Sequence, residues 1–349
     1  MHVGIQFFPD IGPDVKSARD YWHEALALVA LCDRYGYSHV RTVEHYFHPY
    51  GGYSPNPVVF LAAAAQVTKH ARLITGAVLP AFNNPLKLAG ELGMLDALCS
   101  GRLDIGFARA FLPHEFSRFG VKLDESRARF EEGMEQVRLL LEHETVSCEG
   151  HFHSFCNVTS LPRPTQRPRP PFYVAALATR ESFERAGAAG HGIMAIPMAG
   201  GAMAELINIY RDAWQRAGHP GKGTVMLAFH MFCHADQATA ERIAREPLNR
   251  YLRSLVEAAS DWVQGESSAD YPGYDKIIAM LSRDDFDSQV AKCAAWVGTP
   301  ARILDAVATY QRQIGDFEIA SLQVNFNDIA LTDAQASMRL FGEEVLPRL

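Results

Sequence analysis

Short runs of β-branched and aromatic residues alternate along the chain with longer segments whose apolar residues recur every three or four positions. The short runs predict strands, and the longer segments predict amphipathic helices. The predicted strands are residues 3–8, 39–43, 72–79, 103–108, 172–176, 193–196, 225–233 and 319–326. After residue 125, for example, Phe130, Met134, Val137 and Leu141 follow the helical spacing and are expected to belong to the core. A strand followed by a helix, repeated eight times, is typical of a parallel sheet with crossover helices.

Eight such units predict an α/β fold, a closed (β/α)8 TIM barrel that forms a single domain over residues 1–349. Two segments interrupt the alternation, at about 145–171 and 265–290, and we interpret both as insertions in βα loops. The first contains a hairpin turn at Glu149 and Gly150, followed by a proline-rich connection. Active sites of such barrels lie at the C-terminal ends of the strands, so we expect functional side chains there.

The composition of the chain argues against some classes of binding partner. The chain has 349 residues, of which 48% are hydrophobic, and a formal net charge of -7 without a basic cluster, which argues against nucleic acid and anionic membrane partners. Its longest purely apolar run, 58–65, is far below the roughly 18 residues of a membrane span, and the first residues do not resemble a signal peptide. Six cysteines without a CxxC motif predict free thiols. We therefore expect a cytoplasmic protein.

Few polar residues follow the predicted strands, and they suggest an anionic ligand. His45, Arg109 and His230 stand at strand ends, and a Thr/Ser-containing turn at 178–182 opens the helix after the fifth strand. Free N–H groups and the helix dipole at such a turn could bind a phosphate, with the Arg109 guanidinium donating to the same anion. The alternative is that Thr179 only caps this helix. Strand parity places His230 at the barrel mouth, as a candidate acid or base.

Metal-binding patterns are weaker. Glu44 with His45 and His48 could form a carboxylate-imidazole site, which would suit a divalent-metal hydrolase. A second candidate metal-binding group lies on the predicted hairpin. It consists of Cys148, His151, His153 and Cys156. Alternating histidines on a hairpin are more often an exposed polar face, so we predict no metal site.

Several stretches together resemble one family over nearly the whole length of the chain. They are 43–47 (VEHYF), 79–80 (LP) followed by 84–85 (NP), 95–106 (LDALCSGRLDIG), 116–120 (FSRFG), 297–300 (VGTP) and 338–341 (MRLF). Each is weak by itself, but the ordered set resembles the bacterial luciferase-like flavin monooxygenase family. This resemblance implies the barrel predicted above, a homodimer, and FMN as the cofactor.

The resemblance also implies roles for individual residues. His45 matches the histidine that supports the reaction of reduced flavin with O2, and Glu115 matches an acidic residue that influences flavin reactivity. Either Gly76-Ala77 or Ala77-Val78 matches a bulged peptide under the flavin ring. The residues expected at the FMN phosphate are Arg109, Ala178, Thr179, Arg180 and Ser182. Ala108 stands where luciferases proper carry a reactive cysteine, which argues against light emission.

By resemblance, the expected reaction is the oxygenation of a small molecule, with O2 and with reduced FMN supplied by a separate NAD(P)H:flavin reductase. A bulky apolar or aromatic substrate, as in secondary-metabolite biosynthesis, is suggested by a predicted pocket formed by Phe8, Tyr46, Phe111, Met198 and Phe229. The sequence does not distinguish hydroxylation, epoxidation and Baeyer-Villiger insertion. A deazaflavin-dependent oxidoreductase and a non-catalytic flavin-binding paralogue of the same fold remain alternatives.

Overall fold

The computed structural model describes residues 1–349, which form eleven strands. They are β1 (His2–Phe7), β2 (His39–Thr42), β3 (Arg72–Val78), β4 (Leu103–Phe107), β5 (Val146–Glu149), β6 (Ser154–Val158), β7 (Phe172–Ala175), β8 (Gly192–Ala195), β9 (Val225–Cys233), β10 (Ala295–Gly298) and β11 (Ile319–Gln323). Eight of them pair in parallel in the order β9-β11-β1-β2-β3-β4-β7-β8, and β8 pairs with β9. This last pairing closes the sheet, so the predicted TIM barrel is confirmed.

Fourteen α-helices surround the barrel. They are α1 (Ala18–Val29), α2 (Cys32–Tyr35), α3 (Pro57–Val67), α4 (Pro85–Leu98), α5 (Pro113–Phe119), α6 (Ser126–Glu142), α7 (Arg180–Ala188), α8 (Gly200–Arg216), α9 (Gln237–Ala258), α10 (Asp261–Gln264), α11 (Tyr274–Leu281), α12 (Phe286–Ala291), α13 (Pro300–Ile314) and α14 (Leu331–Glu344). Short 3-10 turns lie at Leu123–Glu125 and Leu346–Arg348.

Local sequence explains where the helices after β2 and β3 begin. At the start of α3, the side chain of Asn56 accepts a hydrogen bond from the Val58 N–H at 2.9 Å, and Pro57 occupies the first turn. Asn84 and Pro85 begin α4 in the same way. An asparagine cap followed by proline satisfies one free N–H and removes another, which fixes the first turn of each helix.

The main core lies between the outer face of the barrel and the helices, with large buried side chains such as Trp296, Tyr210 and Phe183. A smaller apolar cluster on β3, β7, β8 and β9 consists of Ile74, Ala77, Tyr173, Met194 and Met226. The ends of the strands above this cluster are open, which leaves room for a site at the C-terminal end of the barrel.

The two predicted insertions have different structures. The first contains the expected antiparallel hairpin, β5 with β6. In the second, the chain forms α11 and α12 and then the short strand β10, which pairs beside the C-terminal half of β9. Sequence analysis missed β10 because its four residues, Ala-Trp-Val-Gly, are too few to show a period, and its partner strand lies more than 60 positions earlier in the sequence. None of the helices has the length and apolar character needed to span a membrane.

Candidate active site

The C-terminal ends of the barrel strands surround a single large cavity of about 780 Å³, and 31 of its 48 lining residues are hydrophobic. This volume is in the range of roughly 300–1,000 Å³ that is usual for cofactor and ligand sites. The aromatic part of the wall consists of Phe8, Tyr50, Phe111, Tyr251 and Tyr274. The polar residues are few and lie at defined positions, so each can be assigned a chemical property.

His45 lies three residues beyond the end of β2 and lines the cavity. Its Nδ1 is 3.1 Å from Oε1 of Glu115, which is 0% exposed in the first turn of α5. The same oxygen accepts the backbone N–H of Tyr46 at 2.8 Å. Because a carboxylate only accepts hydrogen bonds, Nδ1 is the protonated nitrogen, and Nε2, which makes no hydrogen bond within the protein, is available to a ligand.

Glu44, next to His45, has a structural role, because its carboxylate is held by hydrogen bonds within the protein. Its carboxylate accepts hydrogen bonds from the Tyr46 hydroxyl at 2.6 Å, the Asn83 amide at 2.8 Å and the Leu79 N–H at 3.0 Å. Burial raises the pKa of Glu44 to about 7. These three donors hold the loops after β2 and β3 together. No set of three or more His, Cys, Asp or Glu side chains is arranged to hold a metal ion.

Four polar residues occupy one level of neighbouring strands, because Gln6 is in register with both Arg41 and Gln323, and Gln323 is in register with His230. Gln6, Arg41 and His230 line the cavity, and the Arg41 guanidinium donates to Gln6 Oε1 and to the carbonyl of Gly76. Sequence reasoning missed Arg41 and both glutamines. The available signal was parity, since Arg41, Val43 and His45 alternate along one face of the predicted second strand.

His230 is held as a neutral imidazole. Burial lowers its pKa to about 3, and its ring packs edge-on against Tyr251, with centroids 4.4 Å apart, and against Phe326 at 5.1 Å. Its Nε2 is buried without a hydrogen-bond partner. At neutral pH this residue can accept or donate a hydrogen bond in the cavity, but it does not carry an extra proton to give to a substrate.

Arg109 follows β4 and faces the second insertion. Its Nη1 donates to the carbonyl of Asp270 at 2.6 Å, and its guanidinium lies 4.3 Å from the ring centroid of Tyr271. The Tyr271 hydroxyl donates in turn to the carbonyl of Ala110 at 2.8 Å. The insertion is therefore attached to the strand end that carries the predicted phosphate arginine.

The turn before α7 lies at the same end of the cavity, where Thr179 and Ser182 contribute to the lining. The Thr179 side chain makes no capping hydrogen bond, so the alternative that it only caps the helix is not supported. Arg180 points away: its side chain is 65% exposed and forms an ion pair with Glu205. Ala178 does not line the cavity either. Two cations that sequence reasoning missed, Arg127 and Arg185, do line it.

The predicted bulge on β3 lies between Thr75 and Val78. The β3–β4 register shifts between Thr75 and Val78, and the peptide between Gly76 and Ala77, both lining the cavity, is cis. The irregular stretch includes both peptides that the sequence offered, so the choice between them stays a prediction.

Of the predicted pocket residues, Phe8, Phe111 and Met198 line the cavity, whereas Tyr46 and Phe229 do not. The Tyr46 hydroxyl instead bonds Glu44. Phe229 follows Ala228 and precedes His230, which both line the cavity, so alternation along the strand turns its ring outward. There it stacks on Trp296 with centroids 4.3 Å apart. A position for Phe229 in the pocket is therefore wrong.

Comparisons with known proteins assign the chain to a family. The family model described as luciferase-like monooxygenase matches residues 1–316. The chain belongs to this family. The oxygenase component of the flavin-dependent trigonelline monooxygenase of Acinetobacter baylyi is 31% identical over 308 residues, which are 85% of this chain and 82% of that protein.

Solved structures of luciferase-like proteins superpose on this chain over its full length. The monooxygenase RslO1 from Streptomyces bottropensis gives a TM-score of 0.90 with 43% identity, over 100% of this chain and 99% of the other. The oxygenating constituent of 3,6-diketocamphane monooxygenase from Pseudomonas putida, solved with FMN, gives 0.84 with 20% identity, over 100% and 99%. At that identity the second likeness shows the fold alone.

Proposed function

We propose that this luciferase-like protein is the oxygenase component of a two-component flavin-dependent monooxygenase, which uses reduced FMN and O2 to oxygenate a bulky apolar or aromatic small molecule. The observation that carries the proposal is the placement of the His45–Glu115 pair and Arg109 on one large, mainly apolar cavity. In one cavity, Arg109 would then bind the phosphate of FMN, and His45 would exchange a proton next to the flavin and the substrate. A role in secondary metabolism remains a prediction.

The residues fit FMN. Thr179 offers a free hydroxyl and Ser182 lies beside it, and the start of α7 presents backbone N–H groups toward an anion. Arg109, which forms no ion pair, adds positive charge at this end of the cavity, whereas Arg127 is paired with Glu181 and Asp270. Gly76 and Ala77 line the cavity next to Arg41, and their small size leaves room for the ring. We propose these residues, without Arg180, as the cofactor site.

Bound reduced FMN supplies the electrons that activate O2. Glu115 fixes the ring of His45 and directs Nε2 to the cavity, where this nitrogen can hold or move a proton beside the reacting oxygen. The neutral His230 can orient a polar group of the substrate. The aromatic wall, together with Tyr271 and Tyr274 of the second insertion, excludes water from the reaction.

We further propose a separate reductase and a homodimer. The sequence has no dinucleotide-binding glycine motif after a strand, which supports the supply of reduced flavin by a separate protein. Helix α3 carries no charged residue and exposes Val59 (68%) and Val67, and α4 exposes Met94 (56%) and Leu98, although it also carries the Lys87–Glu91 ion pair. A second copy of the chain would cover these exposed apolar side chains. The reaction would then take place in the cytoplasm, where a reductase can supply the flavin.

The proposal is tested by anaerobic titration with reduced FMN, followed by mixing with oxygenated buffer. We expect binding, and we expect oxidised flavin and H2O2 to appear at least about tenfold later than with free reduced FMN, because the cavity holds the flavin away from water. The His45→Ala variant should bind FMN within about threefold of the wild type but release H2O2 faster and give no product.

The matched control is His48→Ala, because His48 lies in the same loop but does not line the cavity. This variant should behave as the wild type. Absence of flavin binding, or reoxidation at the rate of free flavin, would contradict the proposal. Binding of the deazaflavin alone would select the deazaflavin-dependent oxidoreductase, and binding of FMN without turnover of any substrate would select the non-catalytic paralogue.

A further inference from the structure

Arg41 is a buried cation that has no anionic partner. It is 9% exposed, and both of its hydrogen-bond acceptors, the side-chain oxygen of Gln6 and the carbonyl of Gly76 at 2.9 Å, are neutral. The Arg41 Nε is buried without any partner. Buried charges are normally paired, because removing an ion from water costs far more than neutral hydrogen bonds return. The charge of Arg41 therefore points to an anion that binds from the cavity.

The position of Arg41 shows which part of the cavity such an anion would occupy. Arg41 lies on β2 and Arg109 follows β4, so the strand between them, β3, carries the Gly76–Ala77 peptide. A side chain at residue 76 would collide with the Arg41 side chain, which shows that the guanidinium stem crosses directly over Gly76. A flavin held with its phosphate at Arg109 would have Arg41 on the other side of β3 from the phosphate.

We propose that Arg41 recognises the anionic ring of reduced FMN and thereby makes the site select reduced over oxidised flavin. The inference rests on the proposed function. Oxidised isoalloxazine is neutral, whereas the two-electron-reduced ring ionises at N1 near neutral pH and spreads the negative charge over N1 and the C2 carbonyl. A guanidinium without a counter-ion stabilises the second form and not the first. An oxygenase that receives reduced flavin and must release oxidised flavin needs this difference.

Other groups near Arg41 leave its charge in place. Burial lowers the pKa of Arg41 only to about 10, so the guanidinium is cationic at neutral pH. The neighbouring imidazoles of His39 and His230 are neutral, because burial lowers the pKa of each to about 3. The nearest carboxylates of the active site, Glu44 and Glu115, are occupied by other donors.

The test compares the affinities for reduced and oxidised FMN, measured anaerobically and in air, and the midpoint potential of the bound flavin. We expect the wild type to bind reduced FMN at least tenfold more tightly than oxidised FMN. The Arg41→Met variant should lose at least tenfold in affinity for reduced FMN and less than threefold for oxidised FMN. Its midpoint potential should fall by about 30 mV for each tenfold change in this ratio.

Three further variants keep the test decisive. Arg41→Gln removes the charge but keeps polar contacts with Gln6 and Gly76, and it replaces Arg41→Met if the latter does not fold. Arg41→Lys should restore part of the selectivity. Arg72→Met is the matched control, because Arg72 pairs with Asp104 at the opposite end of the barrel, and its affinity ratio should equal that of the wild type.

Equal losses for both redox states would overturn the inference and leave Arg41 a purely structural role. Unchanged affinities for both redox states would also overturn it, because the charge of Arg41 would then not act on the flavin. A wild type that binds no flavin in either state would instead refute the proposed function. The three failures are therefore distinguishable.

Discussion

Arg109→Ala tests the phosphate end of the cavity most directly. In the structure the Arg109 guanidinium donates to the Asp270 carbonyl and lies over the Tyr271 ring, both in the second insertion. A bound phosphate would replace the neutral carbonyl by a doubly charged acceptor. Removing one partner of a buried charged pair costs roughly 2 to 4 kcal/mol, which corresponds to a roughly 30- to 1,000-fold weaker complex with FMN.

The assay is a titration with FMN and, separately, with riboflavin, which has the same ring but no phosphate. The wild type should prefer FMN, and Arg109→Ala should lose most of this preference while its affinity for riboflavin changes little. The lost cation-π contact with the buried Tyr271 is worth up to about 2 kcal/mol, but it would weaken the binding of both flavins alike, so a loss confined to FMN reports on the phosphate.

Arg180→Ala is the control, because this arginine follows the same turn but is exposed and paired with Glu205. It should leave the affinity for both flavins unchanged. Equal loss of FMN and riboflavin binding in Arg109→Ala would refute the reasoning, since it would show that the arginine holds the protein fold and not the phosphate. A loss of FMN affinity in Arg180→Ala as large as in Arg109→Ala would refute the assignment of the turn.

Two other predictions concern stability. Phe229→Ala should lower the free energy of unfolding by about 3–5 kcal/mol, because it empties a fully buried ring site against Trp296, whereas Phe111→Ala at the cavity wall should cost clearly less; urea denaturation of both variants checks the order, and the reverse order would contradict the assignment. Burial raises the pKa of Asp10 from 3.8 to about 7, so the folded protein holds a proton that the unfolded chain loses, and stability should fall between about pH 4 and pH 7 by up to about 1.4 kcal/mol per pH unit. Asp10→Asn should flatten this dependence in denaturation curves at pH 5, 6 and 7; an unchanged slope would show that another group titrates.

The sequence predicted the barrel because its signals repeat. Each strand is a short β-rich run, and each following helix has its own starting signal, such as Asn56 with Pro57. Because the strand–helix unit is repeated eight times, an error in predicting one unit does not change the predicted fold. The strand β10 was not predicted because it interrupts the repeat. It also depends on a long-range pairing with β9, which its four residues do not indicate.

The site was predictable only where a residue either matched a motif or ended a strand. His45, Arg109 and Thr179 were found in this way, and the structure places all three on one cavity. Phe229 was misplaced because it was chosen for its aromatic character, although strand alternation already assigned the inward direction to His230. Arg185 could not be found, because its contact with the cavity depends on how α7 packs and not on its own neighbours in the sequence.

The roles proposed for Arg41 and Arg109, two of the four arginines that line the cavity, concern different properties of the flavin. The phosphate has the same charge in both redox states, so Arg109 contributes equally to the affinity for each and cannot discriminate between them. The ring changes charge on reduction, and only a cation on the ring side, such as Arg41, responds to that change. Because Arg41 and Arg109 stand on opposite sides of β3, the two proposals assign the strength of cofactor binding and the choice of redox state to separate residues. In an enzyme that exchanges its flavin with a reductase in every cycle, this separation allows oxidised FMN to leave without weakening the capture of reduced FMN.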